Sequence, residues 1–147
     1  MSKKNIYLFE ISDVLANQAK LPYSTGLIWS YCIQEKKISE NYNLDNWFWY
    51  KDDENTVDAI FNKIDNPSVI GLATFIWNWK WNREICTRIK EKWPECKIVI
   101  GGWQPPMADR SHDFFKENPC FDIIVQFKKH LKTSTIISNV PLNKQIR

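Results

Sequence analysis

An α/β fold with a five-stranded parallel sheet and helices on both faces, a three-layer sandwich, is the architecture that this sequence predicts. Short β-rich segments alternate with amphipathic helical segments along most of the 147 residues. Residues 69–76 are apolar almost throughout, as expected of a parallel strand that is covered on both faces. Strands that alternate with helices are joined by right-handed crossovers, which place the strands side by side and parallel.

The first half of the chain predicts two strands and two helices. Residues 5–11 and 44–50 are rich in β-branched or aromatic side chains, which favour strands. Pro22 suits the first turn of a helix, because its fixed φ matches helical backbone. Apolar side chains then recur at helical spacing over residues 27–32, and again over residues 57–64.

The second half repeats this cycle, and its pattern weakens after residue 126. Residues 133–138 have strand propensity, but no helical segment follows to cover the last strand. We therefore expect one domain at residues 1–126 and a basic, poorly patterned tail at residues 127–147. The predicted elements of this half are strands at 69–76, 97–100 and 122–125 and helices at 82–93 and 110–118.

Charge and hydropathy exclude several classes of protein. Residues 128–147 carry five basic side chains and no acidic one, whereas residues 1–127 carry 15 basic and 17 acidic side chains. The mildly acidic body does not indicate a nucleic-acid partner, and the basic tail is explained by a solvated chain end. No apolar stretch reaches the ~18–20 residues of a membrane span, and no signal-peptide pattern is visible. We expect no membrane partner and a cytoplasmic location.

Motifs of catalysis and metal binding are missing from the sequence. There is no G-x-G-x-x-G fingerprint, no phosphate-binding G-x-x-x-x-G-K-[ST] loop and no arrangement typical of a hydrolytic triad. None of the cysteines lies at the spacing of a zinc or iron–sulfur ligand pair, so we expect buried reduced thiols. The sequence thus shows no catalytic machinery, and whether the protein is an enzyme is left open. The four cysteines are Cys32, Cys86, Cys96 and Cys120.

The loops beyond the carboxyl ends of the strands are where an open parallel sheet binds its ligands. Gly101 and Gly102 directly follow a predicted strand, so bare backbone can approach a ligand there, although a tight turn would use the same pair. Trp77 follows the third strand and can either wall a flat ligand or cap the core. Asn78 or Asn82 is the candidate N-cap of the helix that follows.

Several short motifs, taken in their order along the chain, indicate a family resemblance. The motifs follow one another between residues 5 and 126: LPYSTG at 21–26, GLATFIWN at 71–78, RIK at 88–90 with Trp93-Pro94, Gly101-Gly102 with Pro106, and FDIIV at 121–125. Together they resemble the N-terminal cobalamin (vitamin B12)-binding domain of cobalamin-dependent radical S-adenosylmethionine (SAM) proteins. The resemblance implies a flavodoxin-like (Rossmann-like) sheet whose loops after the first, third and fourth strands surround the corrin and its nucleotide tail.

The resemblance also implies which residues contact the cofactor, and where the chain departs from the family. Leu15 stands where many cobalamin domains have a histidine, so no His from the first loop would ligate cobalt. Ala73 replaces a common Ser, Trp103 replaces a common Pro, and residues 127–130 replace an acidic turn. The implied contacts are Leu15, Pro22, Tyr23, Gly26, Ala73, Thr74, Phe75, Trp77, Asn78, Gly101, Gly102 and Trp103.

A further departure concerns the radical chemistry of the family. The chain has no C-x-x-x-C-x-x-C motif, so we expect no iron–sulfur cluster in it. The sequence therefore predicts a cobalamin-binding module without the iron–sulfur catalytic domain. Such a module is a truncated relic, a stand-alone cobalamin carrier, or a piece that acts with a separately encoded radical SAM chain. The alternative is a degenerate flavodoxin-like domain that binds no cofactor and acts through protein contacts. A flavin- or nucleotide-binding enzyme is a third, weaker option.

Overall fold

The computed structural model describes residues 3–12, 14–15, 18–19, 23–50, 56–106, 111–127 and 134–138. Five parallel strands confirm the predicted fold class. Two short strands and one antiparallel strand add to them within these residues. The strands are β1 (Lys4–Ser12), β2 (Val14–Leu15), β3 (Gln18–Ala19), β4 (Tyr42–Tyr50), β5 (Pro67–Thr74), β6 (Lys97–Gly102), β7 (Ile123–Phe127) and β8 (Ser134–Ser138).

The helices fall close to where the hydrophobic periodicity predicts them. Only α2 was not predicted, and its short length and lack of buried side chains explain why no periodic signal marks it. No helix in the described part of the chain is long and apolar enough to cross a bilayer. The helices are α1 (Tyr23–Cys32), α2 (Lys36–Asn41), α3 (Thr56–Lys63), α4 (Trp79–Lys92) and α5 (Ser111–Glu117).

The strand order defines where the connections change direction. The main sheet has the order β4-β1-β5-β6-β7-β8, in which β8 runs antiparallel to β7 and β2 pairs only with β3. The chain moves outward from β1 to β4 on one side and then to β5 on the other. The switch point therefore lies between β1 and β5. Right-handed crossovers in opposite directions place α1 on one face of the sheet and α3, α4 and α5 on the other.

One face of the sheet carries the hydrophobic core, and we call it the closed face. The side chains that cover it are Val57 and Ile60 from α3, Ile64 directly after α3, Ile85, Cys86 and Ile89 from α4, and Phe115 from α5. These side chains pack against large buried residues that alternate along the strands. The strand side chains of the closed face are Tyr7, Phe9, Ile11, Ile70, Leu72, Ile98, Ile100 and Ile124.

The opposite side of the same strands, which we call the open face, is less covered. Most of its side chains are half-buried, and Leu8, Ser12, Gly71 and Ala73 are the buried residues of the set named below. Helix α1 contacts β1, β4 and β5 on this side. On β1, β5, β6 and β7, the residues of the open face are Lys4, Ile6, Leu8, Glu10, Ser12, Val69, Gly71, Ala73, Lys97, Val99, Gly101, Ile123 and Val125.

The apolar side chains of α1 do not all face the sheet. Thr25 is buried, and Trp29 reaches back so that its Nε1–H donates to the carbonyl of Leu44 at 3.3 Å. Leu27 and Ile28, whose spacing indicated an amphipathic helix, are each more than half exposed. The helix is thus docked through Thr25 and Trp29 and presents an apolar surface to solvent.

Candidate ligand groove and rim

Small residues occupy the carboxyl end of the open face. Ala73 lies opposite Gly101, and the register of β1 with β5, continued beyond Phe9–Leu72, places Glu10 opposite Ala73. The register of β6 with β7 places Val125 beside Gly101 in the same way. We call this row the small-residue groove, with Ala73 and Gly101 as its floor and Glu10 and Val125 as its walls. Adjacent strands lie ~4.8 Å apart, so the groove spans about 14 Å.

The space above Gly101 is open to a larger group. A Cβ at this position would lie 3.5 Å from the carbonyl oxygen of Val125 and 4.0 Å from its Cβ, which are ordinary contacts. Gly101 itself is half-buried, and Ala73 beside it is 6% exposed. The floor of the groove is therefore a cradle that side chains would fill, and its lack of side chains leaves room for a bound group.

Gly102 has a different role from its neighbour. Its φ of 104° lies in the region that favours glycine, and a Cβ would collide with the carbonyl oxygen of Thr74. That oxygen accepts hydrogen bonds from the N–H groups of Trp103 at 3.1 Å and Gln104 at 3.2 Å. The Thr74 hydroxyl is buried and donates to the carbonyl of Gly101 at 2.5 Å. Gly102 and Thr74 thus fix the loop after β6 to the end of β5.

Exposed apolar side chains form a rim beyond the strand ends. Trp103 is 89% exposed, Ile76 is 80% exposed and Trp77 is 41% exposed. The rings of Phe75 and Trp77 stack with their centroids 4.6 Å apart. Sequence reasoning missed Ile76, because residues 69–76 look like one continuous strand although β5 ends at Thr74. Large apolar groups this exposed beside a groove indicate a binding surface.

Asn78 and Asn82 form a buried network beneath the rim. Asn78 Nδ2 donates to the carbonyls of Ile11 at 2.9 Å and Ala73 at 3.0 Å, which joins the ends of β1 and β5. Its Oδ1 accepts from the N–H of Phe75 at 2.8 Å and from Asn82 Nδ2 at 3.1 Å. Asn78 therefore stands at the N-cap of α4 without the side-chain capping bond expected from sequence. Its amide holds the strand ends and the rim loop together.

The remaining predicted contacts come from the segment after β1. Tyr23 is the first residue of α1 and is 77% exposed, and Gly26 is half-buried one turn later. Because β1 and β4 are parallel, α1 must run back from the carboxyl edge, which places its first turn near the rim. Leu15 lies in β2, but its side chain is outside the described part of the structure, and Pro22 lies outside it entirely.

The titratable groups of the described residues do not form a reactive or metal-binding cluster. No group of three or more His, Cys, Asp and Glu side chains among these residues could hold a metal ion. Cys86, Cys96 and Cys120 are buried, as predicted, and burial raises the pKa of the Cys96 thiol to about 11. Glu10 differs from these groups because it lies in the small-residue groove. Its burial there raises the pKa of its carboxyl above 4.5.

A second hollow lies away from the groove. It has a volume of about 330 Å³ and opens between α4 and α5 on the closed-face side of the sheet. It is lined by Trp79, Arg83, Gln104, Pro106, Phe114, Glu117 and Asn118. No residue of the open face contributes to it, so the hollow and the groove are separate features.

Comparison with known proteins identifies distant relatives. No family model matches the sequence. The chain is 29% identical over 105 residues to 2-(S-pantetheinyl)-carbapenam-3-carboxylate methyltransferase of Streptantibioticus cattleyicolor, covering 71% of this chain and 15% of that protein. It is 28% identical over 104 residues to the cobalamin-dependent radical SAM methyltransferase TokK of Streptomyces tokunonensis, covering 71% of this chain and 14% of TokK. The chain thus spans about one-seventh of the length of these relatives, which agree with the resemblance carried by its motifs.

Proposed function

We propose that this chain is a cobalamin-binding module in which the small-residue groove and the apolar rim hold the cofactor. The observation that carries the proposal is the floor of Ala73 and Gly101 at the carboxyl end of the open face, beside the switch point of the sheet. Ligands of open α/β sheets bind at this place. Similarity to TokK, which is cobalamin-dependent by name, supports the choice of ligand.

The residues of the groove and rim fit a corrin in size and polarity. A corrin is a broad and largely apolar ring with amide side chains, and such a ligand needs apolar walls with a few polar contacts. Ile76, Trp77 and Trp103 provide exposed apolar surface, and the floor of the groove leaves space for a buried portion of the cofactor. Tyr23 and Gly26 of α1 are proposed contacts from the opposite wall. When bound, cobalamin supplies a cobalt centre that can carry a methyl group.

The chain's own residues bind and position in this proposal. Gly102 and Thr74 fix the loop that presents Trp103, and Asn78 fixes the loop that presents Trp77. Leu15 replaces the histidine of the family motif, so we propose that this loop supplies no cobalt ligand. We also propose a radical SAM catalytic domain as the partner of this module, because TokK is by name a cobalamin-dependent radical SAM methyltransferase and is matched by this chain over 14% of its length.

A domain that acts through protein contacts without cofactor is the second candidate. The exposed side chains of Leu27, Ile28 and Tyr31 on α1 favour it, because a contiguous apolar surface on a small domain is typical of an interface. This surface and the groove can also coexist in one protein. Cofactor retention is therefore the measurement that separates the two functions.

The test is retention of hydroxocobalamin after desalting, measured as corrin absorbance per protein with folding checked by circular dichroism. We expect the unmodified protein to retain about one corrin per chain. Gly101→Leu should abolish retention, because its side chain fills the cradle above the floor. Val69→Leu is the matched control, since it places the same side chain on the open face of the sheet but at its amino end, away from the groove. It should leave retention unchanged.

Three results would contradict the proposal. A correctly folded protein that keeps no corrin favours the protein-contact function. Equal retention by Gly101→Leu and Val69→Leu places the ligand elsewhere on the chain. Protein that is yellow as purified points to a flavin at the same edge of the sheet.

A further inference from the structure

Glu10 is the ionisable side chain in the row of the small-residue groove. Phe9 and Ile11 are fully buried on the closed face, so alternation along β1 directs Glu10 to the open face. The backbone register places it between Phe48 of β4 and Ala73 of β5. Glu10 is half-buried there, although a charged side chain in a strand is normally left in water.

The described residues around Glu10 include no charged group placed to stabilise a carboxylate at this position. On β4, Asp45 lies opposite Tyr7 in the register and hence on the other side of the sheet, which leaves Tyr42 and Tyr50 as the titratable positions on this side. Helix α1 contributes Tyr23, Tyr31 and Cys32, and β5 contributes no titratable group. No acidic or basic residue occurs in either α1 or β5.

Basic side chains of the described open face lie only at its amino end. Lys4 is six residues before Glu10 on β1, and a rise of ~3.3 Å per residue separates the two by about 20 Å. Lys97 begins β6 and precedes Gly101 by four residues, or about 13 Å along the strand. Its ammonium lies 3.5 Å from a carboxylate oxygen of Asp122. Neither lysine compensates a negative charge on Glu10.

We propose that Glu10 is a ligand-contacting residue of the groove, whose protonated carboxyl hydrogen-bonds a neutral amide or hydroxyl group of the bound cofactor. This inference rests on the proposed function and adds to it a residue and a pH dependence. A ligand that covers the groove removes water from Glu10, and the charged form loses more hydration than the neutral form. Burial already raises the pKa of this carboxyl in the free protein, and no basic side chain of the described residues lies close enough to oppose that effect. Binding therefore favours protonation, and retention weakens as pH rises.

The test compares the affinity for cyanocobalamin at pH 5 and pH 8 in the unmodified protein, Glu10→Gln and Glu10→Leu. Cyanocobalamin is the probe because its upper ligand does not titrate in this range. The unmodified protein should bind more weakly at pH 8, by up to tenfold for each unit by which binding raises the pKa of Glu10. Glu10→Gln should bind equally at both pH values, because its amide can hydrogen-bond but cannot ionise. Glu10→Leu should bind more weakly than Glu10→Gln at both.

The outcomes separate this inference from the proposed function. If the unmodified protein and Glu10→Gln share one pH profile, the role of Glu10 is overturned while cobalamin binding stands. If Glu10→Leu binds as tightly as Glu10→Gln, the hydrogen bond is overturned. If the unmodified protein binds at neither pH, both proposals fail. Circular dichroism and thermal unfolding of each variant show whether a loss of affinity reflects a loss of fold.

Discussion

The two faces of the main sheet differ in how deeply their side chains are buried. Along β6, Ile98 and Ile100 lie on the closed face and are fully buried. Val99 and Gly101, which alternate with them, lie on the open face and are half-buried. The closed face is filled by large branched side chains beneath three helices. The open face carries small residues at its carboxyl end, and α1 is docked on it. Alternation along a strand thus separates the surface that forms the core from the surface that we propose for binding.

Packing energetics follow this division. Full burial of an Ile side chain contributes roughly 1.5–3 kcal/mol, so the closed face supplies most of the hydrophobic stabilisation. Half-buried valines and bare glycines contribute less. The half-buried positions of the open face can therefore change at a lower cost in stability than the fully buried positions of the closed face.

The largest expected effect comes from truncating the closed face. Ile100→Ala should lower the free energy of unfolding by about 2–5 kcal/mol, because it leaves a cavity among fully buried side chains. Val99→Ala, one residue away on the open face, should cost about 1 kcal/mol because its side chain is only half-buried. Urea unfolding of both variants measures the difference. Equal losses would show that the two faces are packed alike.

The adjacent glycines provide a smaller and sharper contrast. Gly102→Ala should destabilise by about 1–3 kcal/mol, because its φ of 104° and the nearby backbone of Thr74 do not admit a Cβ. Gly101→Ala should leave stability nearly unchanged, since its Cβ meets Val125 only at ordinary contact distances. Thermal unfolding distinguishes the two. Gly101 is therefore the position at which a larger side chain tests ligand binding without disturbing the fold, and a stable Gly102→Ala would refute this assignment.

A weaker effect is expected from the charge in the groove. Because the pKa of Glu10 is raised above 4.5 in the folded protein, the folded state binds its proton more tightly than the unfolded state. The charged carboxylate then destabilises the fold as pH rises from 4.5 through the raised value, and the penalty is absent below pH 4.5. Glu10→Gln should be the more stable protein at pH 7, by less than the effect of Ile100→Ala. Unfolding curves of both proteins at pH 4 and pH 7 test this expectation. If Glu10→Gln were more stable than the unmodified protein only at pH 4, the expected sign would be wrong.

The smallest effect should come from the outer surface of α1. Ile28→Ser should change stability by no more than about 0.5 kcal/mol, because the side chain is 53% exposed and packs against no core residue. Thr25→Val is the comparison variant on the inner side of the helix, since the side chain of Thr25 is buried whereas that of Ile28 is exposed. Chemical unfolding measures both. A loss of several kcal/mol for Ile28→Ser would mean that this surface is part of the fold.

Much of the architecture could be predicted because it follows from local pattern. The alternating strands and helices, the parallel sheet and the closed-face side chains follow from periodicity within windows of ten to fifteen residues. The glycine pair at the end of β6 was predicted for the same reason, since turn residues directly follow an apolar strand pattern. The predicted contacts Ala73, Trp77, Gly101 and Trp103 do fall on one edge of the structure, because parallel strands end together.

The order and type of the elements follow from the amino-acid sequence alone, because hydrophobic spacing and turn chemistry act between neighbours in the chain. Which residues meet depends on how distant segments pack together. The Asn78 amide joins β1 to β5 across 67 positions, and Glu10 stands in one row with Ala73 and Gly101 through registers that no local window contains. The same holds for β8, whose strand propensity becomes a sheet edge only by pairing with β7. Register and burial depend on contacts between distant segments, so they are fixed when the chain folds as a whole.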